Sequence, residues 1–534
     1  MRWSDLGGVR FWAIALAVGL AAGTAALGFR LGITTLQTVL YGTDDMMLAT
    51  VAGRLPWWWV LAIPILGGLV VGLILDRFTP DARVRAVADV IGGAALDRGR
   101  VEGRAGLASA AASLITLGSG GSSGREGPVV HLAAIISSWV SDRIGADGIT
   151  GRDLLGCAVA AAVSASFNAP IAGAIFAQEV VLRHFALRSF APIAIASVAG
   201  TVINRLHYGD ITEFHLRDGG GLSFYGELPA FLLLGTISGL VAVALMRAVL
   251  RADDLGDRIQ SATGIPRWLR PTLAGALLGA IAIPFPHIIG VGYETTSAAL
   301  TGRIGLGAAI VYTVVKIIAV AITMGGRMGG GMFSPALVVG SLTGLAFGII
   351  ATGFAPAVSG GATIYALAGM GAVAAAVFGA PISTTLIVFE LTGDWETGIA
   401  VMTAVSISTA LASRLVERSF FLTQLARRGI QLAAGPQVYL GTTIRLAEIL
   451  RSMEHPAAAP EDACRAMMER GLVLGEVQVL ETALRLFEET GADFIPVTRP
   501  GDGGAPVLAG AVFQTDVLRA YARALAETAA EEHR

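Results

Sequence analysis

The chain has 534 residues, with 38 Lys and Arg against 40 Asp and Glu, a formal net charge of −2. Hydrophobic residues make up 54% and charged residues only 15%, and mean hydropathy is +0.68. That balance excludes an ordinary soluble globular protein, a nucleic-acid partner and any special affinity for anionic lipid.

Residues 1–10 read as a short cytoplasmic N-terminus. Arg2 and Arg10 precede an apolar run that starts at Phe11 and could be mistaken for a secretory signal. The run continues to about Leu40 and many more follow, so a retained first membrane helix is the better reading. Segments 11–41, 55–76, 225–250, 267–285, 306–324, 336–353 and 396–416 are long enough to span a bilayer. Segments 105–117, 129–141, 155–166, 169–182, 187–204, 362–378 and 381–392 are short or interrupted. At membrane depth such helices are tolerated only where they line a cavity or pack within protein. Trp57, Trp58 and Trp59 follow Pro56 and read as an interfacial anchor.

An internal repeat runs through these segments. Phe167-Asn168-Ala169-Pro170 opens a stretch that ends at Glu179, and Phe378-Gly379-Ala380-Pro381 opens one that ends at Glu390. An Ala/Val-rich run precedes each, and a Gly-rich break ending in proline lies further upstream: 118–128 in the first half and 325–335 in the second. Paired broken helices in two halves are the mark of a transporter or channel whose site lies at the repeat interface. Within the first break, Gly124-Arg125-Glu126-Gly127-Pro128 puts a carboxylate at a helix start, where free N–H groups attract an anion. An acidic group at that depth is a functional candidate by default. The bland alternative is a carboxylate that only satisfies helix amides.

After residue 430 the patterning becomes that of a soluble module. Residues 436–534 read as a small α+β domain. Strands are expected at 476–480, 494–497 and 507–513, helices at 481–490 and 516–525, and a turn at 499–504. A looser stretch, 441–475, looks like part of a second such module. Cys157 and Cys464 lie in an apolar segment and in this tail, so no disulfide framework is expected.

Residues 11–430 resemble the CLC family of chloride channels and proton-coupled anion transporters. Gly124-Arg125-Glu126-Gly127-Pro128 is similar to the family's G-[KR]-E-G-P. Gly329-Gly330-Gly331-Met332-Phe333-Ser334-Pro335 is similar to its G-G-x-F-x-P, with Lys316 and Thr323 in a matching context. The two Phe-x-x-Pro openings match as well, and the tail resembles a degenerate CBS-type module. The resemblance implies an all-α polytopic membrane protein with two inverted-topology halves and a small α+β cytoplasmic domain. It also implies a homodimer with one pore per subunit in the bilayer, in a bacterial inner membrane. The transported ligand is chloride or a similar inorganic anion, and neither a cofactor nor an enzymatic activity is expected. Glu126 is the expected gate, filling an anion position when ionised and swinging away when protonated. The amides of Met332 and Phe333, with those near Arg125 and Gly127, are expected to bind the anion.

Three departures from the family pattern bear on mechanism. The position of the intracellular proton-relay glutamate is Val180, which cannot carry a proton. The serine of the central anion site falls on Arg85, either an anion attractor at the inner mouth or one of three arginines (Arg77, Arg83, Arg85) marking a cytoplasmic loop. The tyrosine of that site falls on Phe421, which has no O–H. These favour a passive, glutamate-gated channel, with a proton-coupled antiporter of the same family as the alternative. Lys316 reads as a partner of buried carbonyls rather than a pore residue, and His131 as hydrogen-bonded core rather than a group that tunes Glu126. The Gly121-Ser122-Ser123-Gly124 sequence lacks a histidine base for a serine protease, and the same loop lacks the Lys-Ser/Thr of a phosphate-binding loop. In the tail, Asp516 matches a nucleotide-binding turn but Phe513 stands where its hydroxyl should be, so nucleotide binding is doubtful.

Overall fold

A computed structural model describes residues 8–185, 187–209, 225–356, 358–430, 432, 441, 444–500 and 506–532. The chain divides into two compact units, the second built mainly on residues 432–534. Of the N-terminal segment at 1–10, residues 1–7 lie outside the described residues, as do residues 501–504 of the turn at 499–504.

The first unit is all helical. Its first half comprises α1 (Gly8–Tyr41), α2 (Leu48–Ala52), α3 (Trp57–Phe78), α4 (Val87–Leu96), α5 (Gly103–Gly118), α6 (Glu126–Ile144), α7 (Gly148–Phe167), α8 (Pro170–Phe176) and α9 (Leu187–Tyr208). The second comprises α10 (Leu228–Thr263), α11 (Arg270–Ala282), α12 (Tyr293–Leu300), α13 (Leu306–Gly325), α14 (Phe333–Phe354), α15 (Ala362–Phe378), α16 (Pro381–Thr392), α17 (Trp395–Leu415) and α18 (Phe420–Arg427). Among the described residues, seven helices are long and apolar enough to cross a membrane. Two differ from the sequence reading. Segment 267–285 yields only α11, 13 residues long, because Pro284 and Pro286 follow its end and cannot continue a helix. Segment 187–204, expected to be short, forms the 22-residue α9, with Pro192 accommodated inside it.

Small residues let these helices approach closely without a hydrophobic drive in lipid. Gly340, Gly344 and Gly348 form a stripe along α14. A Cβ on Gly340 or Gly344 would collide with the backbone of Gly369 or Tyr365 in α15. α7 is buried almost throughout for the same reason, its run from Cys157 to Ala162 being fully covered.

The repeat is visible as reciprocal contacts. α7 and α15 both end in a left-handed residue, Asn168 (φ 56°) and Gly379 (φ 64°), and α8 and α16 then open on proline. Pro at the first helical position lacks only an N–H that would be orphaned anyway. The next two amides are satisfied across the pseudo-symmetric pair. Glu390 accepts from Ile171 N (3.0 Å) and Ala172 N (2.7 Å), and Glu179 accepts from Ile382 N (2.9 Å) and Ser383 N (2.7 Å).

The second unit holds a four-stranded sheet in the order β1-β4-β3-β2, with β1 Arg451–Ser452, β2 Leu474–Gly475, β3 Phe494–Pro500 and β4 Pro506–Phe513. β2 pairs parallel to β3, while β3–β4 and β1–β4 are antiparallel. The strand expected at 476–480 is displaced. Pairing stops at Gly475, and Leu480 already opens the helix Leu480–Thr490, its side chain fully buried with Phe487 in the core. The stretch 441–475 contributes to the same sheet through β1 and carries the helix Glu461–Glu469. The last helix runs over Gln514–Glu532, longer than 516–525.

Candidate functional site

Two Gly-rich breaks meet in the first unit. Gly124 and Gly331 form an isolated antiparallel bridge, each N–H donating to the other's carbonyl at 2.7 Å. The starts of α6 and α14, one from each half, are therefore pinned side by side. Gly329 and Gly330 take φ of +108° and +101°, which disfavours any side chain, and a Cβ on Gly330 would strike Ser123 Oγ. α5 and α13 brace the junction: Thr116 Oγ1 donates to Met328 O, and Ser122 N donates to Thr323 Oγ1 at 3.1 Å.

This bridge changes the inventory of anion-binding amides. Gly331 N is committed to Gly124 O, and Gly330 N donates to Ser113 Oγ at 3.0 Å. Neither amide is available to an anion. The first intrahelical bond of α14 is Ala336 N to Met332 O. Among the described residues, the Met332 and Phe333 amides meet no acceptor, as expected for a helix's first turn.

Glu126 opens α6 and is 3% exposed. Its carboxylate reaches across to α14, where Ser334 Oγ donates to Oε1 at 2.5 Å and Ser334 N approaches Oε2 at 3.4 Å. A carboxylate at membrane depth costs about 3 kcal/mol on an insertion scale. Hydrogen bonds to a charged group return about 1.5–3 kcal/mol each, and a helix N-terminus up to about 2 kcal/mol. The carboxylate thus sits where helix ends and donors reduce that cost. Ser334 was missed in the sequence because it occupies the variable position of the Gly-rich motif. The available signal was a hydroxyl in the first turn of an otherwise apolar helix.

One cavity is lined by Glu126, Gly127, Gly329 to Phe333, Ala86, Phe421 and, among its charged groups, Arg83, Arg327, Arg427 and Arg428. Arg427 pairs with Asp254 (2.8 Å) and Arg428 with Asp89 (2.6 Å). Arg83, Arg270 and Arg327 share Asp253 and Asp257, so three cations meet two carboxylates. The cavity joins backbone N–H groups to a rim on which those four arginines outnumber the aspartates Asp89 and Asp253, an arrangement suited to a small anion.

The other predicted positions divide. Arg85 does not line the cavity. It pairs with Asp81 (2.9 Å) and lies 3.9 Å from both Asp89 and Glu102, so its charge is spent in the loop before α4. The reading of Arg85 as an anion attractor is corrected on that ground; Val84, Ala86 and Arg83 line the cavity instead. Arg125 turns its guanidinium away from the cavity, to Ser166 O (2.9 Å) and over the Tyr293 ring (4.9 Å). Phe421 lines the cavity and stacks on Phe378 (5.2 Å), which stacks on Phe333 (4.8 Å), itself in contact with Phe167 and Phe176. Val180 is buried in the π-helical turn Ala177–Leu182 that continues α8. Lys316 donates to Ile288 O (3.1 Å) and Gly290 O (3.2 Å), as a partner of buried carbonyls. His131 is buried against Gly106 of α5. In the second unit, Arg451 grips both oxygens of Asp516 (2.6 and 3.0 Å) and lies 4.1 Å over the Phe513 ring.

Paired broken helices, a carboxylate at their junction and an anion-suited cavity define a membrane anion channel or transporter. Residues 67–413 match the family model described as "Voltage gated chloride channel", and the chain belongs to that CLC family. It is 31% identical over 423 residues to the "Putative chloride channel protein ClcB-like" of Ralstonia nicotianae, covering 78% of this chain and 96% of that one. Its fold is similar to that of a slow cyanobacterial Cl-/H+ antiporter (TM-score 0.70, 21% identity, 78% of this chain and 98% of that one). It is also similar to a eukaryotic CLC transporter (TM-score 0.67, 17% identity, 95% and 98%). The chain is an integral, multi-pass membrane protein of a family whose members are channels and transporters.

Proposed function

We propose that this protein passes chloride, or a similar small inorganic anion, through the bilayer as a passive channel gated by Glu126. The observation that carries the reading is the Glu126 carboxylate, buried where two broken helices start and at the wall of a cavity with an arginine rim. Ionised, it stands in for an anion; protonated, it leaves and an anion takes its place. The amides of Met332 and Phe333 hold that ion by partial charge, which avoids burying a full cation. Phe421 shapes the same cavity. Passive conduction is favoured because Val180, at the place of the proton-relay glutamate, carries no proton, and the adjacent Glu179 is engaged by the amides of Ile382 and Ser383. Coupled exchange has its own support: Glu126 lines the same cavity as the arginine rim, so water there could bring a proton to it by the anion's route.

By family resemblance the protein is a homodimer with a pore in each subunit, in a bacterial inner membrane and with its tail in the cytoplasm. The tail is a degenerate CBS-like module with a structural or dimer-contacting role, and the hold of Arg451 on Asp516 argues against nucleotide binding there. The test is reconstitution in chloride-loaded vesicles, reading the reversal potential under a tenfold proton gradient at fixed chloride. A potential set by chloride alone supports a channel, and one displaced by protons makes the protein an antiporter. In the same vesicles Glu126→Ala should raise chloride flux and remove its pH dependence; unchanged flux would sink the gating role.

A further inference from the structure

This chain lacks hydroxyls at two positions where the resemblance leads one to look for them, Arg85 and Phe421, yet a hydroxyl is present at the junction. We propose that Ser334 is the hydroxyl ligand of the transported anion as well as the latch that holds Glu126. The proposal rests on the reading of Glu126 as an anion stand-in and adds a residue from the second half of the repeat.

The geometry is specific. Ser334 is 3% exposed, and its Oγ lies 2.5 Å from Glu126 Oε1 while its N–H faces Oε2 at 3.4 Å. Ser334 thus offers this carboxylate both its hydroxyl and its amide. The neighbouring Met332 and Phe333 amides meet no acceptor, and both residues line the cavity. When the carboxylate leaves, the hydroxyl and these amides remain as a cluster of buried donors. Buried donors without acceptors are costly, so an ion that replaces the carboxylate oxygen inherits them. A hydroxyl rotor can re-aim its hydrogen at a monatomic ion, which a fixed amide cannot. Loss of the two usual hydroxyls is then offset by one that enters from α14. Of the other hydroxyls near the break, Ser113 Oγ accepts from Gly330 N and Ser123 Oγ meets no partner among the described residues, whereas Ser334 Oγ is bonded to the carboxylate itself.

The two roles separate experimentally. Chloride binding to the full-length purified protein is measured by calorimetry in a Glu126→Ala background, where no latch exists. Ser334→Ala should raise the half-saturating chloride concentration about tenfold, and Ser334→Thr should bring it back to within about threefold. Ser334→Cys keeps the volume with a weak donor and should behave like Ser334→Ala, which preserves the test if the alanine variant does not fold. Unchanged chloride binding in Ser334→Ala or Ser334→Cys, with Glu126 absent, overturns the ligand role. The gating reading is judged apart from this: if Glu126→Ala alone leaves vesicle flux at the parent level, that reading fails. The calorimetric comparison at Ser334 still decides the ligand.

Discussion

Phe421 stacks on Phe378, which stacks on Phe333, and it lines the cavity without a polar atom to offer. Adding that atom is the simplest way to ask whether weak holding sets the rate. Phe421→Tyr should lower the half-saturating chloride concentration about fivefold, the effect of one hydrogen bond of ~1 kcal/mol, and slow maximal efflux. The concentration dependence of vesicle efflux reads both. Lys316 predicts the opposite pattern, because its Nζ is bound to the carbonyls of Ile288 and Gly290 and does not line the cavity. Lys316→Met should cost about 2–3 kcal/mol of stability, read as a lower melting temperature in detergent, with chloride half-saturation unchanged. At this scale the sequence was informative where a residue type is rare for its setting. A glutamate between glycines and a lysine in an apolar run both announced themselves. Ser334 did not, since a serine at a helix start is ordinary. Arg85 misled because a count along the chain cannot show which of three neighbouring arginines turns toward a cavity.

The elements that matter most are the short ones. α8 has seven residues and α16 twelve, and each owes its first turn to a carboxylate from the other half. Removing one carboxylate orphans two amides at once. Glu390→Ala and Glu179→Ala should each lower stability by about 2–4 kcal/mol, with similar losses because the contacts are reciprocal. Thermal melts of the two variants would check this. A large loss in one and none in the other would refute equivalent roles. The matching spacing from phenylalanine to glutamate made the repeat legible in the sequence, but not that each glutamate caps the helix of the other half. Helix lengths were less so. Hydropathy runs straight through Pro284 and Pro286, although those residues end α11, and Pro192 looks like a breaker although it forfeits only one intrahelical bond in α9. The Gly124–Gly331 bridge lay beyond sequence reasoning altogether, because it joins breaks some 200 residues apart in chain order, and only their meeting decides which amides remain free.

At the scale of the whole molecule, the drop in hydropathy after residue 430 set the tail apart, but the tail's chemistry needed side-chain positions. Arg451 grips both oxygens of Asp516 and lies over the Phe513 ring, contacts that a hydropathy profile does not reveal. The larger prediction concerns the rim of the cavity. Arg83, Arg270 and Arg327 share Asp253 and Asp257, leaving an excess of one positive charge. If that excess draws anions in, its effect must depend on ionic strength, since the screening length shrinks from about 30 Å at 0.01 M to about 10 Å at 0.1 M. Arg327→Gln brings the network to two cations and two carboxylates and should reduce chloride flux several-fold at low ionic strength. Asp253→Asn raises the excess to two and should increase flux under the same conditions. Both differences should collapse when an impermeant salt is added at constant chloride. The opposite signs are the discriminating feature, because structural damage to the network would depress flux in both variants and salt would not restore it. Loss of flux in both, persisting at high salt, would assign the arginine–aspartate cluster to holding α10, α11 and α13 together rather than to concentrating anions.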